Sequence, residues 1–258
     1  MKNPTLILAR TELRNFWGGA AAGVTLLVFL GFLGFFFYNS VVVYVAESLS
    51  AAARGRSLHA SPALFSQGLS NIPLALMLVA PLVTMRALSP HRRGGGLDYF
   101  QTLPLGGGTL VLGQYLAAVA SLAFLSLLGL VPFACLLGAG VGRPALLLTA
   151  LVGLWALSSA FAAVGVLGSA MFPSPAGAGL GTLGMLGLMW MLGWARPYTD
   201  SDLGLVDLWL NLAFAPRFTR FTLGLVDAGD LVFFLALTLL ALLNARLFLR
   251  ARGLSGAE

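Results

Sequence analysis

Residues 144–195, PALLLTALVGLWALSSAFAAVGVLGSAMFPSPAGAGLGTLGMLGLMWMLGWA, run for 52 positions without one Asp, Glu, Lys or Arg. A helix rises about 1.5 Å per residue and the hydrocarbon layer of a bilayer is roughly 30 Å thick, so about 20 apolar residues cross it once. The run is too long for one crossing and long enough for two. It is broken once, at Phe172-Pro173-Ser174-Pro175, where the prolines predict a tight turn between two helices.

Working outward, residues 15–46 and 99–142 are also free of charge, and 71–88 and 231–249 are strongly apolar. Six spans follow, with limits near 19–46, 71–88, 107–138, 145–171, 177–195 and 230–249. Composition agrees: the chain is 59% hydrophobic and 9% charged, with a mean hydropathy of +0.92, whereas a soluble domain is about 25% charged. The expected fold is all-α, a polytopic membrane protein of six transmembrane helices.

Cytoplasmic loops carry the excess of Lys and Arg. With six spans, one side holds Lys2, Arg10, Arg14, Arg86, Arg92, Arg93, Arg246, Arg250 and Arg252 against only Glu12, Asp98 and Glu258. The other side balances six basic residues with six acids, Asp207, Asp227 and Asp230 among them. Both termini are therefore expected in the cytoplasm. The same distribution accounts for the net charge of +6 without nucleic acid, because the basic residues cluster at span ends. Arg outnumbers Lys fourteen to one, which points weakly to a GC-rich bacterial genome and hence to the bacterial cytoplasmic (inner) membrane.

Several function classes lose ground on residue inventory. Ion-coupled carriers place ionisable groups inside the bilayer, yet only Arg86 and Arg246 fall within spans, near ends where they can snorkel. The two histidines, His59 and His91, fall on opposite sides, so no metal cluster and no nucleophile-base pair is expected, and no catalytic residue is assigned. The lone Cys135 lies in an apolar run and is expected to pack in the core. A P-loop needs a lysine after its glycines, and the only lysine is Lys2. ATP, if it drives this protein, binds to another chain.

Small residues four apart, Gly177 with Gly181, Ala156 with Ala160 and Gly165 with Ser169, predict close packing of the fourth and fifth spans or of two chains. Simple enrichment of glycine in membrane helices explains them equally well. Before the first span, ILARTELRNFWGG (Ile7–Gly19) is amphipathic. It is expected to lie in the interface with Arg10, Glu12 and Arg14 in water and Leu6, Leu13, Phe16 and Trp17 toward lipid. The stretch 196–228 is long for a loop. In it DLGLVDLWLNLAF (Asp202–Phe214) sets Asp207 and Asn211 on one helical face, and Pro216 is expected to end that helix.

Three stretches carry a family resemblance. The first comprises ILARTELRNFWGG with GFLGFFFY (Gly31–Tyr38). The second is Met85–Pro104, MRALSPHRRGGGLDYFQTLP, leading to LGQYLAA. The third is FTRFTLGLVDAGDLVFF (Phe218–Phe234). In order and spacing the chain resembles the permease subunits of type 2 ABC exporters, particularly the gliding-motility and nitrous-oxide-reductase-maturation group. Met85, Arg86, Gly95, Asp98, Thr102 and Pro104 match the family's pattern between the second and third spans. Pro90-His91 stand where the family has paired acids, and Gly96 replaces a Thr.

The resemblance implies that 88–104 is a cytoplasmic coupling segment that docks on a separate ATPase, with Arg86, His91, Arg92, Arg93, Asp98, Thr102 and Pro104 in the contact. The simpler reading of Arg92 and Arg93 is an anchor under the positive-inside rule. It also implies an extracytoplasmic gate at Asp207, Asn211, Phe218, Phe221, Asp227 and Asp230, although capping of the last helix is the simpler role for the two aspartates.

The implied organisation is an amphipathic interfacial helix (1–18), a six-span permease domain (19–249) with the helical outer segment 196–228, and a cytoplasmic tail (250–258). No cofactor is expected on this chain, with ATP and Mg in the partner ATPase. Expected partners are that ATPase, a second permease chain in a homodimer or heterodimer, the bilayer, and an envelope accessory protein. Two rival readings remain: a scaffold or energy transducer driving an envelope machine, and a haem-exporter-like permease.

Overall fold

A computed structural model of the chain describes residues 3–53, 60–88, 107–138, 143–195 and 212–251. They form eight helices in chain order: α1 (Pro4–Trp17), α2 (Ala20–Ala53), α3 (Ala60–Thr84), α4 (Gly107–Gly138), α5 (Pro144–Met171), α6 (Pro175–Ala195), α7 (Phe214–Thr222) and α8 (Ala228–Ala251). No strand occurs among the described residues. Six of the helices, α2 to α6 and α8, are long and apolar enough to cross a membrane, and the fold is that of a multi-pass membrane protein.

Two spans differ from the sequence expectation. The first spanning helix continues past residue 46 to Ala53, carrying Glu47, and the second starts at Ala60 rather than 71 and ends at Thr84. Hydropathy locates the apolar stretch that lipid requires, whereas the hydrogen-bond ladder continues wherever backbone groups still pair. The turn between α5 and α6 falls at residues 172–174, as the prolines require. Pro175 opens α6, where a missing N–H leaves no gap, and the Gly177 N–H donates to Ser174 Oγ at 3.1 Å.

The spans alternate in direction. Phe29 of α2 and Ile72 of α3 meet at Gly129 of α4, and Phe37 and Phe65 meet Phe133 edge-on at 5.6 and 5.8 Å. These pairings make α2 and α4 co-directional, with α3 opposed. α5 is the central helix: 67% of its spanning window is buried, against 22% for α2, α6 and α8. Its run AFAAVGVLGSA (Ala160–Ala170) explains this, because small side chains let neighbouring backbones come close where the hydrophobic effect does not drive association. A Cβ on Gly165 would clash with Thr84 of α3, and one on Gly168 with Thr182 of α6. The α5/α6 contact thus turns on Gly168, whereas Gly184 and Gly187 face open space.

Hydroxyl groups supply short cross-links inside the bundle. Tyr115 Oη lies 2.7 Å from Ser159 Oγ, itself 3.1 Å from Thr238 Oγ1, joining α4, α5 and α8. Asn71 Nδ2 donates to Ser40 Oγ between α3 and α2. Cys135 is exposed on α4 rather than packed in the core. An apolar run in a membrane protein can face lipid, so hydropathy alone does not bury it.

α1 is a separate helix, as its amphipathic pattern requires, but its packing differs from that of a helix lying in the interface plane. Leu8 presses against Gly113, while the Trp17 indole donates to Ser121 Oγ at 3.2 Å and meets Phe124 edge-on at 5.0 Å. Nine residues of α1 thus match eight to eleven of α4, and the helices run side by side in the same sense. Gly113 permits this approach, since a Cβ there would lie 2.7 Å from the Leu8 side chain. The start of α4, the end of α8 beside Gly108 and the α5/α6 turn share one end of the bundle, here the termini end. α7 caps the other.

Candidate functional site

At the α7 end, the chain enters α7 at Phe214, and Pro216 sits in its first turn. Pro216 therefore opens a helix instead of ending one, because the first-turn N–H groups have no intrahelical acceptor to lose. Phe214, Phe218 and Phe221 point into the bundle and are buried. Gly153 of α5 makes room for the last, since a Cβ there would stand 2.6 Å from the Phe221 ring. Phe218 and Phe221 are core anchors of α7.

Beside this face, α7 carries Arg217 and Arg220, three apart and therefore neighbours. α8 repeats the spacing with Asp227 and Asp230. The Asp230 side chain is 0% exposed; Arg217 Nη1 donates to its Oδ1 at 3.0 Å, and Arg220 Nη2 pairs with the same oxygen. Arg220 Nη1 also reaches Asp227 Oδ2 at 3.3 Å. The Arg217 guanidinium stacks over the Phe233 ring, 4.1 Å from its centre, a cation–π contact.

Asp227 caps α8 as expected: its Oδ1 accepts the Gly229 N–H at 2.9 Å. Asp230 lies in the first turn, where a negative charge is favoured, but its burial between two arginines is the larger feature. Four charges cancel here, and the set ties α7 to α8. Sequence reading named both aspartates and missed both arginines; the signal that finds them is the matched spacing of three on either side of the turn. Asp207 and Asn211 lie outside the described residues.

His91, Arg92, Arg93, Asp98, Thr102 and Pro104 lie outside the described residues. The chain leading to them is held firmly. Thr84 packs into the space left by Gly165, and the Leu88 N–H donates to Ser169 Oγ at 2.8 Å. The end of α3 is thereby pinned to the central helix α5. Arg86, in that exit turn, is exposed.

Arg86 lines a cavity of about 520 Å3 enclosed by α1, the first turns of α2, the end of α3 and α4. Glu12 lines it from α1, and Arg10 and Arg14 point elsewhere, exposed. Trp17 helps hold α1 against α4 through Ser121, itself a lining residue. The wall also carries Gln114, 4% exposed, whose Nε2 has no hydrogen-bond partner among the described residues. Gln114 was missed from sequence, because a single amide inside an apolar run gives no sign of what it faces.

Among the described residues no three His, Cys, Asp or Glu side chains gather in one place. No family model matches the chain, and no curated protein matches it.

Proposed function

We propose that this chain is the membrane-spanning permease subunit of an ATP-binding-cassette exporter of the inner membrane of a bacterium. It would couple hydrolysis on a separate ATPase chain to movement of a hydrophobic or envelope-directed molecule. The observation that carries this reading is the anchoring of the stretch 85–88. A force applied to the segment 89–106 would pass through Leu88 and Thr84 to Ser169 and Gly165 of α5, and α5 contacts α3, α4, α6, α7 and α8. Rigid elements joined at few points convert a local push into helix movement.

The sequence of 88–104 adds the polar and basic groups that a wet protein contact needs, and the start of α1, the end of α8 and Arg86 share one end of the bundle. That end is read as cytoplasmic from its excess of arginine. The chain carries no lysine other than Lys2 and so has no P-loop of its own.

Purification of the tagged chain from its native membrane tests the proposal. A soluble ATPase should co-purify in stoichiometric amount, and the isolated permease should not bind nucleotide. Absence of any ATPase, or stoichiometric nucleotide binding by the permease alone, contradicts it.

A further inference from the structure

The cavity beside α1 has the size of a ligand site: about 520 Å3, within the roughly 300–1,000 Å3 usual for small-molecule pockets. Its walls are mostly apolar, with Leu13, Phe16, Val24, Leu82, Val83 and Ala118 among them. Its polar lining residues are Glu12, Asn15, Thr25, Arg86, Gln114 and Ser121, of which Thr25 and Ser121 hydrogen-bond within the chain. Neither Glu12 nor Arg86 has an ion-pair partner among the described residues, and no ion pair joins the two across the cavity. A buried amide N–H without a partner costs about 1–3 kcal/mol, so the Gln114 amide calls for an acceptor from outside the chain. Water would satisfy the amide but would leave the apolar walls facing water, which is unfavourable in proportion to their area.

These features describe a complementary molecule. It has an apolar body, a hydrogen-bond-accepting oxygen at the depth of Gln114, and a head with an anionic group for Arg86 and a cationic group for Glu12. The walls belong to helices that cross or flank the bilayer, and Val24 and Ala20 are exposed on the outer surface of the bundle, so the cavity has an edge that faces lipid. We infer that it binds one zwitterionic phospholipid with a primary amine head. Its phosphate lies beside Arg86, its ammonium beside Glu12, and a head-group oxygen accepts from Gln114 Nε2. A primary ammonium is favoured over a quaternary one because only the former donates hydrogen bonds to a carboxylate. The inference stands on the cavity alone and holds whether or not an ATPase drives this chain.

The test is lipid titration of the full-length protein in detergent, read by native mass spectrometry with phosphatidylethanolamine, phosphatidylcholine and phosphatidylglycerol. Wild-type protein should retain one phosphatidylethanolamine about tenfold more tightly than either of the others, the scale of one charge-assisted hydrogen bond. Glu12→Gln, a change on the surface of α1, should abolish that preference. Gln114→Leu keeps the volume and removes the donor, and should weaken all three lipids by about tenfold. A single symmetric size-exclusion peak must be kept by both variants. Should Gln114→Leu fail this, Glu12→Gln alone decides.

Soluble glycerophosphoethanolamine supplies the head without the chains and should not displace the lipid at millimolar concentration. Equal retention of the three lipids by wild type, or a preference untouched by Glu12→Gln, overturns the inference. Displacement by the soluble head group overturns the lipid as its source.

Discussion

The two ends of the bundle treat charge in opposite ways. At the α7 end, Arg217, Arg220, Asp227 and Asp230 pair among themselves: Asp230 Oδ1 receives two guanidinium groups, while its Oδ2 and Arg220 Nε are buried without a hydrogen-bond partner among the described residues. At the termini end, Glu12 and Arg86 face one cavity without an ion pair among the described residues, beside a buried amide N–H that has no acceptor among them. A set whose charges are neutral in sum and paired with one another has most of its electrostatic capacity taken up by the fold, so it acts as a staple. Groups left open retain capacity for something outside the chain. The difference separates charges that hold the protein together from charges that are available for recognition, a distinction that residue type alone does not make.

The largest effect is expected from breaking the closed set. Asp230→Ala leaves two guanidinium groups, one of them over the Phe233 ring, without their shared counter-charge. Removing one partner of a buried pair costs about 3–5 kcal/mol, and because Arg217 and Arg220 are 19% and 42% exposed, the low end, about 3 kcal/mol, is expected. Thermal unfolding in detergent reads it as a clearly lowered midpoint. An unchanged midpoint would mean that the cluster holds nothing together.

A smaller loss should follow from pushing α7 away. Gly153→Val places atoms where the Phe221 ring now sits, and overpacking of this kind costs about 1–3 kcal/mol. The same unfolding experiment measures it, and Phe221→Leu in the same chain should recover part of the loss. Smaller again is Asp227→Ala, which removes the α8 cap and an exposed ion pair. About 1 kcal/mol is expected, nearly all of it from the cap, so high salt should leave the difference almost unchanged.

No stability change at all is expected from single cysteines placed for topology. In a Cys135→Ala background, cysteines at Ser89 and Ser255 should resist an impermeant thiol reagent in intact cells, while those at Ser57 and Ser201 should react. Labelling at position 255 in sealed cells would reverse the assignment of the two ends.

The spans themselves were legible because lipid imposes one strong rule, an apolar run of sufficient length, and the 52-residue run with its Pro173 and Pro175 obeys it twice. What the rule does not govern was not legible. α2 runs to Ala53 and α3 starts at Ala60, since helical pairing outlasts the apolar stretch. Cys135 faces outward because the bilayer accepts an apolar side chain as readily as the core does. Pro216 sits in a first turn, which its sequence neighbours do not distinguish from a helix end. Asp227 was legible as a cap from the local pattern. Gln114 and the cavity were not, since they arise only where α1, α2, α3 and α4 converge.

The ATPase-coupling proposal is tested most directly by reversing Arg92 and Arg93 to Glu together and measuring how much ATPase co-purifies, at low and high salt, in protein whose Ser255 and Ser201 labelling is normal. Truncating a buried interfacial charge pair costs about 2–5 kcal/mol, while a rim charge alters mainly association rate and salt sensitivity. Co-purification should therefore fall at least tenfold at low salt, with the permease still folded. ATPase recovery equal to wild type at both salt concentrations would contradict the proposal and leave the two arginines as membrane anchors.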